Sequence, residues 1–165
     1  YSLPGEVLVN CMGLRAQEIF PNLGLEAVKG QLLFYENPGV KQIVSAEDLI
    51  VLPRNDKFMY IGAGYLHSFE TNEPTKKEEE DVLRRVNQMV SIDIEAFQGL
   101  SGQLSEAKFI GAVSGFRPHR NAGILVAAEA GPKNQVVIHN VGHGGMGWTL
   151  AGTGKAAVRL IKESV

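Results

Sequence analysis

Four glycines in six residues, Gly142, Gly144, Gly145 and Gly147, follow the apolar run Val136-Val137-Ile138 and precede a segment of helical spacing. Val136–Asn140 reads as a short buried strand, and the stretch from about Trp148 to Lys162 as a helix with Leu150, Gly154, Ala157, Val158 and Ile161 on one face. A strand that feeds such a turn and then a helix lets bare backbone N–H groups approach a ligand, with the helix N-terminus carrying roughly half a positive charge behind them. The turn is therefore a site for something flat or anionic; a merely tight connection needs one or two glycines. Gly142, Gly144 and Gly147 also satisfy G-x-G-x-x-G mechanically. That fingerprint opens a βαβ unit, whereas here a single helix follows with no second strand or ribose-binding acid, so a dinucleotide pyrophosphate is not read from it.

Glycine is the outlying count, 19 of 165 residues, against a usual share of roughly 7%. Otherwise the composition serves to exclude. Lys and Arg number 16 against 18 Asp and Glu, so no basic field exists to hold nucleic acid or an anionic membrane surface. Apolar residues make up 44% of the chain, enough for a core, and no apolar run approaches the ~20 residues of a membrane span. The single cysteine, Cys11, excludes an intramolecular disulfide and fits a reducing compartment. The first residue is Tyr1, and Val7–Cys11 already reads as a buried strand, so the sequence reads as part of something longer.

Between these ends the pattern predicts a short helix over Leu14–Phe20 stopping before Pro21, and strands at Val28–Tyr35, Leu49–Leu52, Phe58–Ala63, Lys108–Gly115 and Gly123–Ala128. A helix starts at Pro74, after Thr71 or Asn72, with Val82, Leu83, Val86, Met89 and Val90 as its apolar stripe. The hairpin-spaced strands predict a largely antiparallel mixed sheet from Val28 to Ala128 with this helix packed on it, while Val7–Cys11 and Val136–Asn140 lie together in a second lobe. A second candidate site is Gly115-Phe116-Arg117-Pro118, where an arginine held between an aromatic residue and a proline aims a fork that matches a carboxylate.

On four segments the sequence resembles the flavoprotein oxidoreductases of the D-amino-acid oxidase and glycine oxidase type. They are Glu6-Val7-Leu8-Val9-Asn10-Cys11-Met12-Gly13, Val28-Lys29-Gly30-Gln31, Gly115-Phe116-Arg117-Pro118, and the run from Ile138 to Gly147. The similarity corresponds to the latter half of a family member. It implies an α+β (α/β) fold with residues 1–25 as the end of an FAD-binding lobe and 26–130 as an antiparallel mixed-sheet substrate-binding lobe. Residues 131–165 would be the last strand and helix of the FAD-binding, Rossmann-like lobe, whose N-terminal half is missing. It also implies hydride transfer from the Cα–H of an amino-acid substrate to FAD. Arg117 is then the anchor of the substrate carboxylate, Gly145 a partner of the substrate amine, and Gly144, Gly145, Gly147, Trp148, Thr149, Cys11 and Gly13 cofactor-binding positions. The implied partners are a small amino acid and the missing half, in the same or a companion chain, and the implied location is intracellular, cytoplasmic or peroxisomal.

The stretch matching the substrate-clamping tyrosines of D-amino-acid oxidase reads Ser45-Ala46-Glu47-Asp48-Leu49-Ile50-Val51-Leu52-Pro53, and the nearest tyrosines are Tyr60 and Tyr65. Glycine, secondary amines and D-amino acids therefore all stay open as substrates. His139 and His143 straddle a strand and a turn rather than sharing a helix face, so they do not read as a metal pair. Cys11 reads as a small core residue, and Trp148 as core or as a flavin wall. A non-catalytic binding module derived from the same fold is the alternative function.

Overall fold

The computed structural model describes residues 5–47, 49–90 and 100–164. The strands are β1 (Val7–Asn10), β2 (Leu25–Glu36), β3 (Val44–Ala46), β4 (Leu49–Pro53), β5 (Phe58–Leu66), β6 (Phe109–Arg120), β7 (Leu125–Ala130) and β8 (Val136–Val141). The helices are α1 (Lys76–Val90), α2 (Leu100–Glu106) and α3 (Thr153–Glu163). They form a five-stranded sheet in the order β3-β4-β5-β2-β6 and a three-stranded sheet in the order β1-β8-β7. The fold is mixed α/β, as the sequence pattern requires. Two compact units result: one takes the chain through Val28 and again from Arg117, the other is Lys29–Phe116.

In the Lys29–Phe116 unit, β4 and β5 form a hairpin whose turn is closed by Asn55. Its Oδ1 accepts the backbone N–H groups of Lys57 (2.8 Å) and Phe58 (2.9 Å), the Asx role expected of such a residue. β2 and β5 pair antiparallel, with a register shift where Lys29 faces Leu66 but Gln31 faces Ala63. The extra residue lies on β5, where Gly64 takes φ +90°, a conformation that glycine alone adopts without strain. Leu33, Val51, Met59 and Ile61 point to one face and meet Val82, Val86 and Met89 of α1. Leu83, expected in that stripe, is 39% exposed, and the side chain of Val90 lies outside the described residues.

Helix α1 begins later than proline placement predicts. Thr75, not Thr71 or Asn72, caps it: its Oγ1 accepts the Glu78 backbone N–H (3.2 Å) while Glu78 Oε2 accepts the Thr75 N–H (3.0 Å). This reciprocal box satisfies two end donors at once, which outweighs the preference of Pro74 for a first helical position. Helix α2 and strand β3 are short elements without a distinctive period, and the sequence pattern missed both.

In the other unit β1 runs parallel to β8, with Val7 opposite Val136 and Asn10 opposite His139, so the two segments expected to lie together do. The strand expected at Gly123–Ala128 belongs here and not in the antiparallel middle sheet: β7 pairs with β8 from Leu125↔Val141 to Ala130↔Val136. Strand spacing alone does not choose between two sheets; the chain leaves β6 through a turn in which the Gly123 N–H donates to the Arg120 carbonyl (2.9 Å), and β7 then pairs with β8. The helix expected over Leu14–Phe20 is a 3-10 turn, Gly13–Glu18, followed by another at Pro21–Leu23 that starts on the proline. α3 packs against β7 and β8 through Ala157, with Val158 turned to solvent.

Candidate functional site

The glycine turn leaves β8 at Val141. Gly142 (φ +85°) and Gly144 (φ +56°) take left-handed backbone, and a Cβ on Gly142 would stand 2.9 Å from the Cβ of Arg120. Arg120 is fixed in turn, its Nε donating to the Leu23 carbonyl (2.8 Å) and its Nη1 to the Gly123 carbonyl (3.0 Å). A 3-10 turn over Gly144–Met146 follows, and α3 starts only at Thr153, five residues after the helix start read from the sequence. His143 Nε2 lies 3.0 Å from Thr153 Oγ1, whose own proton goes to the Leu150 carbonyl (2.9 Å). The hydroxyl oxygen is therefore the acceptor and His143 the donor, so His143 carries its proton on Nε2.

Beside this turn lies a pocket of about 350 Å³ whose walls include Cys11, Gly13, Pro118, Asn140, Gly142, His143, Gly144, Gly147 and Thr153. The walls carry backbone, amide, thiol, imidazole and hydroxyl groups and no carboxylate, ammonium or guanidinium, so the pocket is suited to holding a polar ligand by hydrogen bonds. Asn140 Oδ1 is buried without a hydrogen-bond partner, an acceptor whose desolvation is uncompensated until a donor meets it. Gly13 (φ +59°) turns the chain after β1 so that Cys11 and Gly13 reach the same wall. Cys11 is thereby exposed rather than part of the core, because β1 ends one residue before it.

A buried polar pair braces that wall. Asn10 and His139, 4% and 1% exposed, face each other across β1 and β8, with Asn10 Nδ2 2.9 Å from His139 Nδ1. Asn10 Oδ1 accepts the Met12 N–H (3.1 Å), and the edge of Phe20 packs on the imidazole, ring centroids 4.8 Å apart. His139 Nε2 lies 3.0 Å from Glu129 Oε1, off the line of a good hydrogen bond. In the sequence His139 is a candidate only as a metal ligand, and Asn10 does not stand out. Among the described residues no group of three or more His, Cys, Asp or Glu side chains is placed to hold a metal ion.

Of the residues singled out from sequence, Cys11, Gly13, Gly144 and Gly147 come together on one wall. Gly145 and Thr149 are exposed beyond it, and Trp148 is 97% exposed, which excludes a core role in this chain. Arg117 is half-buried on β6 next to Pro118; strand alternation sets the two on opposite faces, so the proline reaches the pocket wall and the arginine does not. Asn140, His143, Pro118 and Thr153 line the pocket without being predicted from sequence to do so. The signal for Asn140 and His143 is their place between the strand and the glycines.

Compared with known proteins, the chain matches the family model of FAD dependent oxidoreductases over residues 4–160. It is 31% identical over 163 residues to a D-amino-acid oxidase of Dictyostelium discoideum, covering 97% of this chain and 44% of that protein. It is also 31% identical over 163 residues to a D-amino-acid oxidase of Streptomyces coelicolor, covering 93% and 46%. Among solved structures it resembles glycine oxidase from Bacillus cereus, with a TM-score of 0.74 at 19% identity over 95% of this chain and 42% of that one. It also resembles iminodiacetate oxidase from Chelativorans sp. BNC1, with a TM-score of 0.65 at 22% identity over 90% and 40%. The chain thus spans less than half the length of these relatives, and with a match reaching across nearly all of its own length it belongs to the FAD dependent oxidoreductase family.

Proposed function

We propose that the chain forms part of an enzyme that oxidises a D-amino acid, glycine or a related amino acid, with FAD as the cofactor. The observation that carries this reading is the pocket beside the glycine turn, with bare backbone at Gly142 and Gly144 and the unpartnered Asn140 Oδ1 on its wall. A flat ring edge that offers both N–H and C=O groups matches such a wall. At about 350 Å³ the pocket has room for a ring-sized part of FAD, being near the lower end of the roughly 300–1,000 Å³ of ligand sites. When bound, FAD supplies the acceptor for the hydride leaving the substrate Cα. In this reading the backbone of Gly144 and Gly147 and the walls at Cys11 and Gly13 hold and orient the ring. Gly145, Trp148 and Thr149, exposed beside it, complete its surroundings in the whole protein. Arg117 binds the substrate carboxylate, Gly145 meets the amine, and residues 26–130 form the substrate-binding lobe. The remaining part of the FAD site comes from the half of the family's length that this chain does not span, in the same or a companion polypeptide.

The arginine provides the test. Removing the partner of a buried carboxylate costs on the order of 3–5 kcal/mol, or roughly two to four decades in kcat/KM at about 1.4 kcal/mol per tenfold. In the complete enzyme, Arg117→Ala should lose that much toward an amino acid but not toward the amine lacking the carboxylate. Arg117→Lys should recover little, since an ammonium does not reproduce the fork. An equal fall for both substrates would mean that Arg117 supports the fold instead.

A further inference from the structure

The Lys29–Phe116 unit holds a second and larger cavity, about 570 Å³, between the end of β5 and the first turns of α1. One of its lining side chains is anomalous. Gln31 is only 2% exposed, and neither its Oε1 nor its Nε2 has a hydrogen-bond partner. A buried amide left unpaired is costly, and a native fold retains one where something else satisfies it. The sheet is irregular at this point: the register shift between β2 and β5 falls between Lys29 and Gln31, and Gly64, on the cavity wall, has open space where a Cβ would stand. Bulges of this kind re-aim side chains.

Four of the charged side chains on the cavity wall, Glu78, Asp81, Arg84 and Arg85, are committed to ion pairs. Lys29, fully buried, donates from Nζ to the carbonyls of Thr71 (2.9 Å) and Glu73 (2.7 Å) and to both oxygens of Glu78 (2.8 and 3.0 Å). Asp81 accepts from Arg84, and from Arg85 Nε at 2.7 Å. What remains unsatisfied is a neutral donor and a neutral acceptor side by side, with the Phe69 ring on the same cavity wall. A carboxamide of this kind is complemented by a second amide whose N–H and C=O lie on one edge, through two parallel hydrogen bonds. The wall carries charges of both signs, Glu70, Glu78, Glu80 and Asp81 against Lys77, Arg84 and Arg85, so an ion of either sign meets like charge there.

We propose that this cavity is a binding site for a small, flat, neutral molecule that presents a cis-amide edge to Gln31 and a ring face to Phe69. The site shares no lining residue with the pocket beside the glycine turn, and the proposal does not depend on the oxidase reading.

The probe is 2-pyridone, which has the cis N–H and C=O edge, set against N-methyl-2-pyridone, which differs by one methyl and lacks the donor. Both are titrated into the isotope-labelled chain while the Gln31 side-chain NH2 signals and the Val82 methyl signals are followed. The expected result is saturable shifts with 2-pyridone, with binding about tenfold or more weaker for the N-methyl compound and for 2-pyridone in Gln31→Met. That variant keeps the volume and removes the unpaired amide, so its unfolding midpoint should rise. Equal affinity for the two probes, equal affinity in Gln31→Met, or no saturable shift up to tens of millimolar would each overturn the proposal, the last leaving a cavity filled by water alone. If Gln31→Met does not fold, the two probes on the unmutated chain still decide.

Discussion

A methyl group added at Gly142 would meet the Cβ of Arg120 at 2.9 Å, on a backbone held at φ +85°. The left-handed conformation alone costs a non-glycine residue of order 1–3 kcal/mol, so Gly142→Ala should lower the free energy of unfolding by at least that range in urea titration. Gly147, at φ −54° with the nearest atom 3.8 Å from where a methyl would stand, should accept alanine at little cost. Asn10 offers a second test. Its Oδ1 is tied to the Met12 N–H and its Nδ2 faces His139 Nδ1, so the ring must accept at Nδ1 and carry its proton on Nε2; long-range 15N–1H correlation should show that tautomer. Asn10→Ala leaves a buried ring nitrogen unpaired and should cost about 1–3 kcal/mol, much less additively when His139 is replaced as well. At this scale the sequence showed the glycines, because a cluster of residues without side chains has few other uses. It concealed Asn10 and His139: their pairing spans 129 positions, and each alone reads as an ordinary strand residue.

Helix α1 depends on its first turn. Thr75→Ala removes the acceptor for the Glu78 N–H and should destabilise the protein by about 0.5–2 kcal/mol, measured by thermal or urea unfolding. Glu78 both completes that cap and pairs with Lys29. Burial pushes its carboxyl up, but the hydrogen bond from Lys29 and those with Thr75 outweigh this and hold it below the ordinary 4.5. Because the unfolded chain then binds protons more readily than the folded one, the stability that Glu78 contributes is complete above about pH 4.5 and fades as the pH falls through the lowered value. The gap in urea midpoint between wild type and Glu78→Gln should accordingly be full at neutral pH and narrow progressively below pH 4.5. The Thr75-x-x-Glu78 spacing fits a capping box, whereas a start on Pro74 falls two residues before the first helical residue, Lys76. β3 and α2 were not legible because strands of three residues and helices of seven carry too few periods to separate from a loop.

Over the whole molecule the two-sheet division was legible from its apolar runs, except that β7 sits with β8, a choice made by long-range pairing that no local pattern encodes. In the function proposed above, the pocket beside the glycine turn engages only one part of FAD, so the 165 residues by themselves should hold it weakly; the visible flavin absorbance should be lost on desalting, and tight stoichiometric flavin would contradict that proposal. The parallel pairing of β1 with β8 has a further consequence for the order of assembly. A nascent chain emerges from the ribosome with β1 early and β8 late, so β1 must wait, its central partner unmade, while the Lys29–Phe116 unit in between already has its whole sheet and α1 available. Closing a flexible loop of the 129 positions between Asn10 and His139 costs about 4 kcal/mol in chain entropy, which favours the middle unit as the earlier step. In pulse-labelled hydrogen exchange during refolding, amides of β4 and β5 should become protected before those of β1 and β8, and β1, while it waits for β8, presents an unpaired edge to other strands.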